Sequence, residues 1–157
     1  MIVRNRLLLV VSASYDRMAK IWSAKSGECV QTLTGHGRFV CSAVFSPDAR
    51  QVVTALGDRA AKIWSVGSGE CLQTHTGQRQ IAYSAALSPD AQQVATASDD
   101  FPAKIWSTAS GECVQNLKGH RFYVRSAALS PDAEQVVAAS TSTNRCRRRG
   151  LDRRDTH

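Results

Sequence analysis

Between residues 39 and 76 the chain alternates four short apolar stretches with clusters of turn-forming residues. The stretches, 39–45, 51–56, 60–65 and 71–76, are rich in β-branched side chains, and no helical period lies between them. The separators are Ser-Pro-Asp at 46–48, Gly-Asp at 57–58 and Gly-Ser-Gly at 67–69, with Gly-His-Gly at 35–37 ahead of the first stretch. Each separator suits a turn for a physical reason. Glycine reaches positive φ, Asp and Ser bond their own backbone, and proline presets φ where no ladder donor is needed. Strands at this spacing predict an antiparallel meander.

The pattern then recurs. Trp22, Trp64 and Trp106 stand 42 residues apart, as do Cys29, Cys71 and Cys113. Lys-Ile-Trp-Ser returns at 20–23, 62–65 and 104–107, and Ser-Gly-Glu-Cys at 26–29, 68–71 and 110–113. Ser-Pro-Asp-Ala occupies 46–49, 88–91 and 130–133. Residues 35–76 align with 77–118 without a gap and share 22 of 42 positions. The chain is a tandem array, and four strands per unit is the blade of a β-propeller. The expected fold is all-β, a partial propeller of antiparallel four-stranded blades. The array spans 1–140, with a partial blade at 7–34, full blades at 39–76 and 81–118, and a partial blade at 123–140. The 42-residue register fails after Ser140. Residues 141–157 carry too few apolar groups to pack and read as an Arg-rich disordered tail.

The unit Gly35-His36, Val44-Phe45-Ser46-Pro47-Asp48-Ala49, Asp58 and Lys62-Ile63-Trp64-Ser65 resembles a WD-repeat β-propeller unit over about residues 7–140. One departure is constant: serine follows each tryptophan (Ser23, Ser65, Ser107) where the family pattern has aspartate. The resemblance implies a buried hydrogen-bond relay in each blade, joining a turn His, a strand Ser or Thr, the hairpin Asp and the indole N–H. The second unit has all four members, His36, Thr54, Asp58 and Trp64, with the carboxylate expected to orient the imidazole. The third has Thr96, Asp100 and Trp106, with Gln78 in place of His. The first has Ser12, Asp16 and Trp22 without a Gly-His ahead of them, and the last has His120 but Ala138, Ser142 and Arg148 at the other positions. Blades this incomplete are expected to depend on their neighbours. His36, Thr54 and Asp58 also have the types of a hydrolase triad. The hydroxyl lies mid-strand without a nucleophile-elbow signature, and the relay is the favoured reading.

Composition changes the picture in three places. No apolar run approaches 18 residues, which excludes a membrane-spanning helix; the five apolar residues at 7–11 are also too few for a secretory h-region. The five cysteines, with Cys41 and Cys146 added to the periodic three, fit neither a disulfide framework nor a zinc site. Histidines 36, 75, 120 and 157 have no ligand spacing, so no metal or cofactor is expected, and reduced thiols suggest a cytoplasmic location with a nuclear one as the alternative. The net charge of +7 is uneven: residues 145–157 hold six arginines against two aspartates. That tail reads as a nuclear-localisation or nucleic-acid patch, as a solvated tail, or as the end of a truncated array without independent activity.

The loops divide between the two ends of the strands. One end collects Tyr15, Arg17, Arg38, Arg59, Arg79, Phe101, Arg121, Phe122 and Tyr123, with Phe39 read as core because it begins a strand. The other collects Glu28, Asp48, Glu70, Asp90, Glu112, Asp132 and Glu134. Arg and aromatic residues are enriched at interface hot spots. The function expected is a non-enzymatic scaffold that binds a protein or acidic peptide through the Arg/aromatic end, chiefly Arg38, Arg59, Arg79, Phe101, Arg121, Phe122 and Tyr123. Head-to-tail pairing of two chains would complete the partial blades.

Overall fold

The computed structural model describes residues 8–76, 80–98, 102–132 and 134–140. Among the described residues every regular element is a β-strand, and no helix is long and apolar enough to cross a membrane. The first sheet contains β1 (Leu9–Ala13), β2 (Ala19–Ser23) and β3 (Cys29–Leu33). The second contains β4 (Val40–Phe45), β5 (Gln51–Leu56), β6 (Ala61–Ser65) and β7 (Cys71–His75). The third contains β8 (Ala82–Leu87), β9 (Gln93–Ser98), β10 (Ala103–Ser107) and β11 (Cys113–Leu117). The fourth pairs β12 (Val124–Leu129) with β13 (Val136–Ser140). All pairings are antiparallel between sequence neighbours, as short turns between strands require. The strands fall within a residue of the boundaries that the turn formers predict. The chain is a partial β-propeller whose sheets do not close into a ring.

The sheets pack face to face in chain order: β1 lies against β4, β8 against β4 and β5, and β12 against β8 and β9. The inner strands of the two central sheets are therefore buried on both faces, and the alternation along a strand sorts side chains between them. On β5, Val52 and Leu56 join Ala19, Ile21, Leu33, Val40, Ala60 and Trp64 in the core between the first and second sheets. Val53 and Ala55 turn the other way, into the core with Ala82, Ala85, Leu87, Val94 and Trp106. β9 repeats the arrangement one blade later, with Ala95 and Ala97 meeting Val124 and Ala127. β5 and β9, made mostly of small and β-branched residues, are buried on both faces from their second residue onward.

The turns at the carboxylate-bearing end close on themselves. Ser46 Oγ donates to Asp48 Oδ1 at 2.6 Å and accepts the Gln51 N–H at 2.9 Å. Ser88 makes the same bonds with Asp90 and Gln93, and Ser130 with Asp132 and Gln135. The serine hydroxyl and then the backbone N–H hold the Asp48, Asp90 and Asp132 carboxyls below the usual pKa. These aspartates serve their own turns. Two kinds of bulge recur, and both occur in each four-stranded sheet. One sits between the first two strands, at Cys41, Tyr83 and Arg125; the other puts Val30, Leu72 and Val114 on the exposed outer strand.

Candidate functional site

Thr54 lies mid-strand on β5 and has no exposed surface. The Trp64 indole N–H donates to its Oγ1 at 2.9 Å, and His36 Nε2 lies 3.2 Å from the same oxygen. His36 Nδ1 stands 3.1 Å from the Arg17 carbonyl oxygen. A carbonyl only accepts, so Nδ1 carries the proton, and in the neutral ring Nε2 accepts from the Thr54 hydroxyl. Burial holds the His36 imidazole below its ordinary pKa; the charge of Lys62 acts the same way, while the Arg17 and Leu33 carbonyls and the Asp58 charge oppose it. The ring leans on Trp64 with centroids 4.5 Å apart.

Asp58 departs from the expected relay. Its carboxylate makes no hydrogen bond to His36; the Arg17 carbonyl of the preceding blade orients the imidazole instead. Asp58 is exposed, and its Oδ2 leans across Gly37, 3.0 Å from where a Cβ there would stand. Asp16 likewise serves its own hairpin, accepting the Met18 N–H at 3.1 Å. The shorter link is present in the flanking sheets: Trp22 donates to Ser12 Oγ and Trp106 to Thr96 Oγ1, each at 2.8 Å. Asp100 lies outside the described residues. Thr54 cannot serve as a nucleophile in this setting, because it is sealed from solvent and its oxygen already accepts the indole N–H.

The other end of the strands carries the basic and aromatic groups. The β5–β6 hairpin is a three-residue loop: Leu56 N–H bonds Ala60 O at 3.0 Å, and Arg59 takes φ 71. A left-handed residue at that position is the usual closure of such a loop, and Arg17 repeats it with φ 70. The hairpin and the link entering β8 bound a cleft of about 400 Å³ lined by Arg38, Gly57, Asp58, Arg59, Gln80 and Ile81. Arg38 and Arg59 are therefore brought together. Arg121, Phe122 and Tyr123 are exposed on the link entering β12, away from that cleft. Arg79 and Phe101 lie outside the described residues. Phe39 is half-buried and stacks on the exposed Tyr15, with ring centroids 4.9 Å apart and planes 20° apart.

Two features at this end are missing from the sequence expectations. The Arg125 guanidinium lies over the Tyr83 ring, 3.9 Å from its centroid, and 5.8 Å from that of Tyr123. Both Tyr83 and Arg125 occupy the bulge of a first strand. The signal was present: at one position of the 42-residue register the chain has Cys41, Tyr83 and Arg125, while the next two residues are Ser-Ala every time. The second is His75, buried at the end of β7.

A family model described as "WD domain, G-beta repeat" matches residues 27–65, 69–107 and 111–146, more than half of the chain. The chain belongs to the WD-repeat family. Over 42 residues it is 50% identical to nuclear distribution protein PAC1 of Arthroderma otae, covering 27% of this chain and 9% of that protein. Over 46 residues it is 39% identical to F-box-like/WD repeat-containing protein TBL1X of Mus musculus, covering 29% and 9%. A third match, to PAC1 of Mycosarcoma maydis, is 39% identical over 44 residues, 28% and 10% of the two chains. The matches span about a tenth of the length of these WD-repeat relatives. WD-repeat proteins are generally non-enzymatic scaffolds that bind other proteins.

Proposed function

We propose that this WD-repeat chain holds a protein partner by an acidic segment, received at the end of the strands that carries Arg38 and Arg59. The cleft between the second and third blades carries the reading. It sets two guanidiniums around one opening, and among the described residues neither is within 4 Å of a carboxylate. A partner carboxylate entering there gains charge-assisted donors without displacing an existing ion pair. Asp58 also borders the opening, which favours a carboxylate seated on the guanidinium side rather than at the cleft centre.

The internal repeats support the same end. The Ser-Pro-Asp-Ala and Ser-Gly-Glu-Cys loops recur unchanged, and the Asp48 and Asp90 carboxylates are spent on their own turns. The links at the other end differ each time: His-Gly-Arg-Phe at 36–39, Gln-Arg-Gln-Ile at 78–81 and His-Arg-Phe-Tyr at 120–123. Side chains that the fold does not dictate are the ones available for recognition. Arg38→Glu and Arg59→Glu are each expected to weaken binding of a glutamate-rich peptide by about tenfold at low salt, mostly through the association rate. Calorimetry or surface binding in a salt series checks this. Undiminished affinity in both variants would show that the cleft is not the site.

A second reading, self-association, is favoured by the open edges of the outer sheets. Among the described residues β1 pairs only with β2 and β13 only with β12, and Val10 and Val137 are 49% and 66% exposed. Unpaired edges with apolar neighbours template further strands. Two copies joined head to tail would cover them. Sedimentation should then give a dimer, and a monomer across the micromolar range would exclude this assembly.

A further inference from the structure

A second cleft, of about 250 Å³, lies at the hairpin end of the first sheet and is lined by Ser12, Ser14, Asp16, Met18, Lys20 and Trp22. One 42-residue repeat later the same positions hold Thr54, Leu56, Asp58, Ala60, Lys62 and Trp64, the surroundings of His36. There the imidazole bonds the Thr54 hydroxyl and leans on Trp64, and a Cβ added at Gly35 would stand 3.8 Å from the same indole. Trp64 is 2% exposed beneath that Gly-His pair. Trp22 bonds Ser12 in the same way but is only half-buried, and no Gly-His stands ahead of it in the chain. The fourth sheet shows the converse. Gly119-His120 stands two repeats after Gly35-His36, ahead of β12 as the first pair is ahead of β4. Ala138 holds the position of Thr54, so the imidazole has no hydroxyl to meet. Among the described residues His120 makes no hydrogen bond, and nothing lies within 4 Å of a Cβ added at Gly119. The strands involved are nearly interchangeable. Val10-Val11-Ser12-Ala13-Ser14 and Val136-Val137-Ala138-Ala139-Ser140 stand in the same register and differ at one residue.

We propose that two copies of this chain exchange strands: β1 of one copy replaces β13 beside β12 of the other, and His120 of the second copy fills the Ser12/Trp22 cleft of the first. This deepens the self-association reading given above and is independent of the acidic cleft. The pairing that β12 makes with β13 is repeated with β1, from Val124 opposite Ser14 to Leu129 opposite Val10. The one differing residue is the gain, since Ser12 brings the hydroxyl that Ala138 lacks. That hydroxyl accepts the Trp22 N–H and donates to a neutral imidazole, as Thr54 does for His36. β2 and β3 follow β1 and complete a four-stranded sheet on β12. Exchange at both ends closes a ring of six sheets, two central ones from each copy and two shared. The charges agree with this occupant. Arg121 falls at the position of Gly37, and in the second sheet the Asp58 carboxylate leans over Gly37 with Oδ2 3.0 Å from where a Cβ would stand. The equivalent of Asp58 in the first sheet is Asp16, exposed and without an ion pair among the described residues, so Arg121 of one copy meets Asp16 of the other. Lys20 also lines the cleft, with its ammonium 5.7 Å from the centre of the Trp22 ring; Lys62 accompanies His36 in the same way, and the neutral imidazole tolerates it. Lys118, the other cation beside His120, falls at the position of the exposed Thr34 and stays in solvent.

Sedimentation of the full chain in a concentration series tests this. The unsubstituted chain is expected to form a dimer. Asp16→Arg and Arg121→Glu should each raise the dimer dissociation constant about tenfold, because attraction becomes repulsion. Both substitutions in one chain restore the pair with its signs reversed, so the dimer should recover, which also shows that neither change unfolds the chain. His120→Ala should weaken the dimer as well, and Ser12→Ala added to it should cost little more, since the two remove one contact. Weakening that the combined charge reversal does not repair overturns the exchange. So does a dimer indifferent to both Arg121→Glu and His120→Ala; the copies then join by another edge, and self-association stands. A chain that stays monomeric at every concentration removes both.

Discussion

Trp64→Ala is expected to lower the unfolding free energy by about 3–5 kcal/mol, the range for deleting a large aromatic from a packed core. Trp22→Ala, one repeat earlier, should cost much less. The two residues have the same neighbours in sequence but different surroundings. Trp64 is 2% exposed and packed between the first and second sheets against Ile21, Leu33, Val52 and Leu56. Its N–H ends on Thr54, so truncation also strips a buried hydroxyl of its donor and leaves His36 without the ring it leans on. Trp22 is only half-buried, and the Ser12 hydroxyl that takes its N–H is exposed. Water replaces what is lost there. Trp106, 3% exposed and bonded to Thr96, should follow Trp64. Urea unfolding of the three alanine variants measures the ranking. Equal costs at 22 and 64 would mean that stability resides within each blade and not between blades.

The strands, their pairing and the blade count were legible because turn chemistry and the 42-residue register repeat. The resemblance to the WD repeat implied the Trp-to-hydroxyl link, and the paired strands bring its members together: Val52 is opposite Trp64, and Thr54 is opposite Lys62. The failure at Asp58 has a physical reason. A loop carboxylate can serve its own turn, a neighbouring backbone or a distant ring, and spacing does not choose among them. The hairpin rotates Asp58 outward, and the Arg17 carbonyl, 19 residues before His36, takes its place. Its place at a strand start reads Phe39 as core, and the half-buried ring caps Gly57 while stacking on Tyr15. The meeting of Arg38 with Arg59 depends on how a link from one blade lies beside the hairpin of the same blade. That is a property of the packed sheets and not of either segment.

His75→Leu is expected to stabilise the chain by about 1–3 kcal/mol at neutral pH and to flatten its acid sensitivity. The register itself points to the substitution, since Leu33 and Leu117 hold the equivalent positions. His75 is 1% exposed on β7, opposite Ala61, with the Trp106 ring 6.1 Å away. Both ring nitrogens are buried without a hydrogen-bond partner among the described residues. Among the described residues the imidazole loses its water contacts and regains only the pull of the Gly111 backbone, outside full hydrogen-bond geometry, whereas leucine of similar volume has no such contacts to lose. Burial lowers the His75 pKa, opposed in part by the Gly111 backbone, and burial also lowers that of His36. Folding therefore favours the neutral rings, and the unfolded chain binds more protons. The stability is fully present above about pH 6.5, the ordinary histidine value, and declines as pH falls below it toward the depressed folded-state values. Removing His75 deletes its share of that decline and leaves the share of His36. Unfolding midpoints measured between neutral and mildly acid pH should converge less steeply to zero in the leucine variant. A parallel loss in both proteins would show that His75 is hydrated or paired in solution, and a destabilised variant that its imidazole makes a favourable contact that leucine cannot.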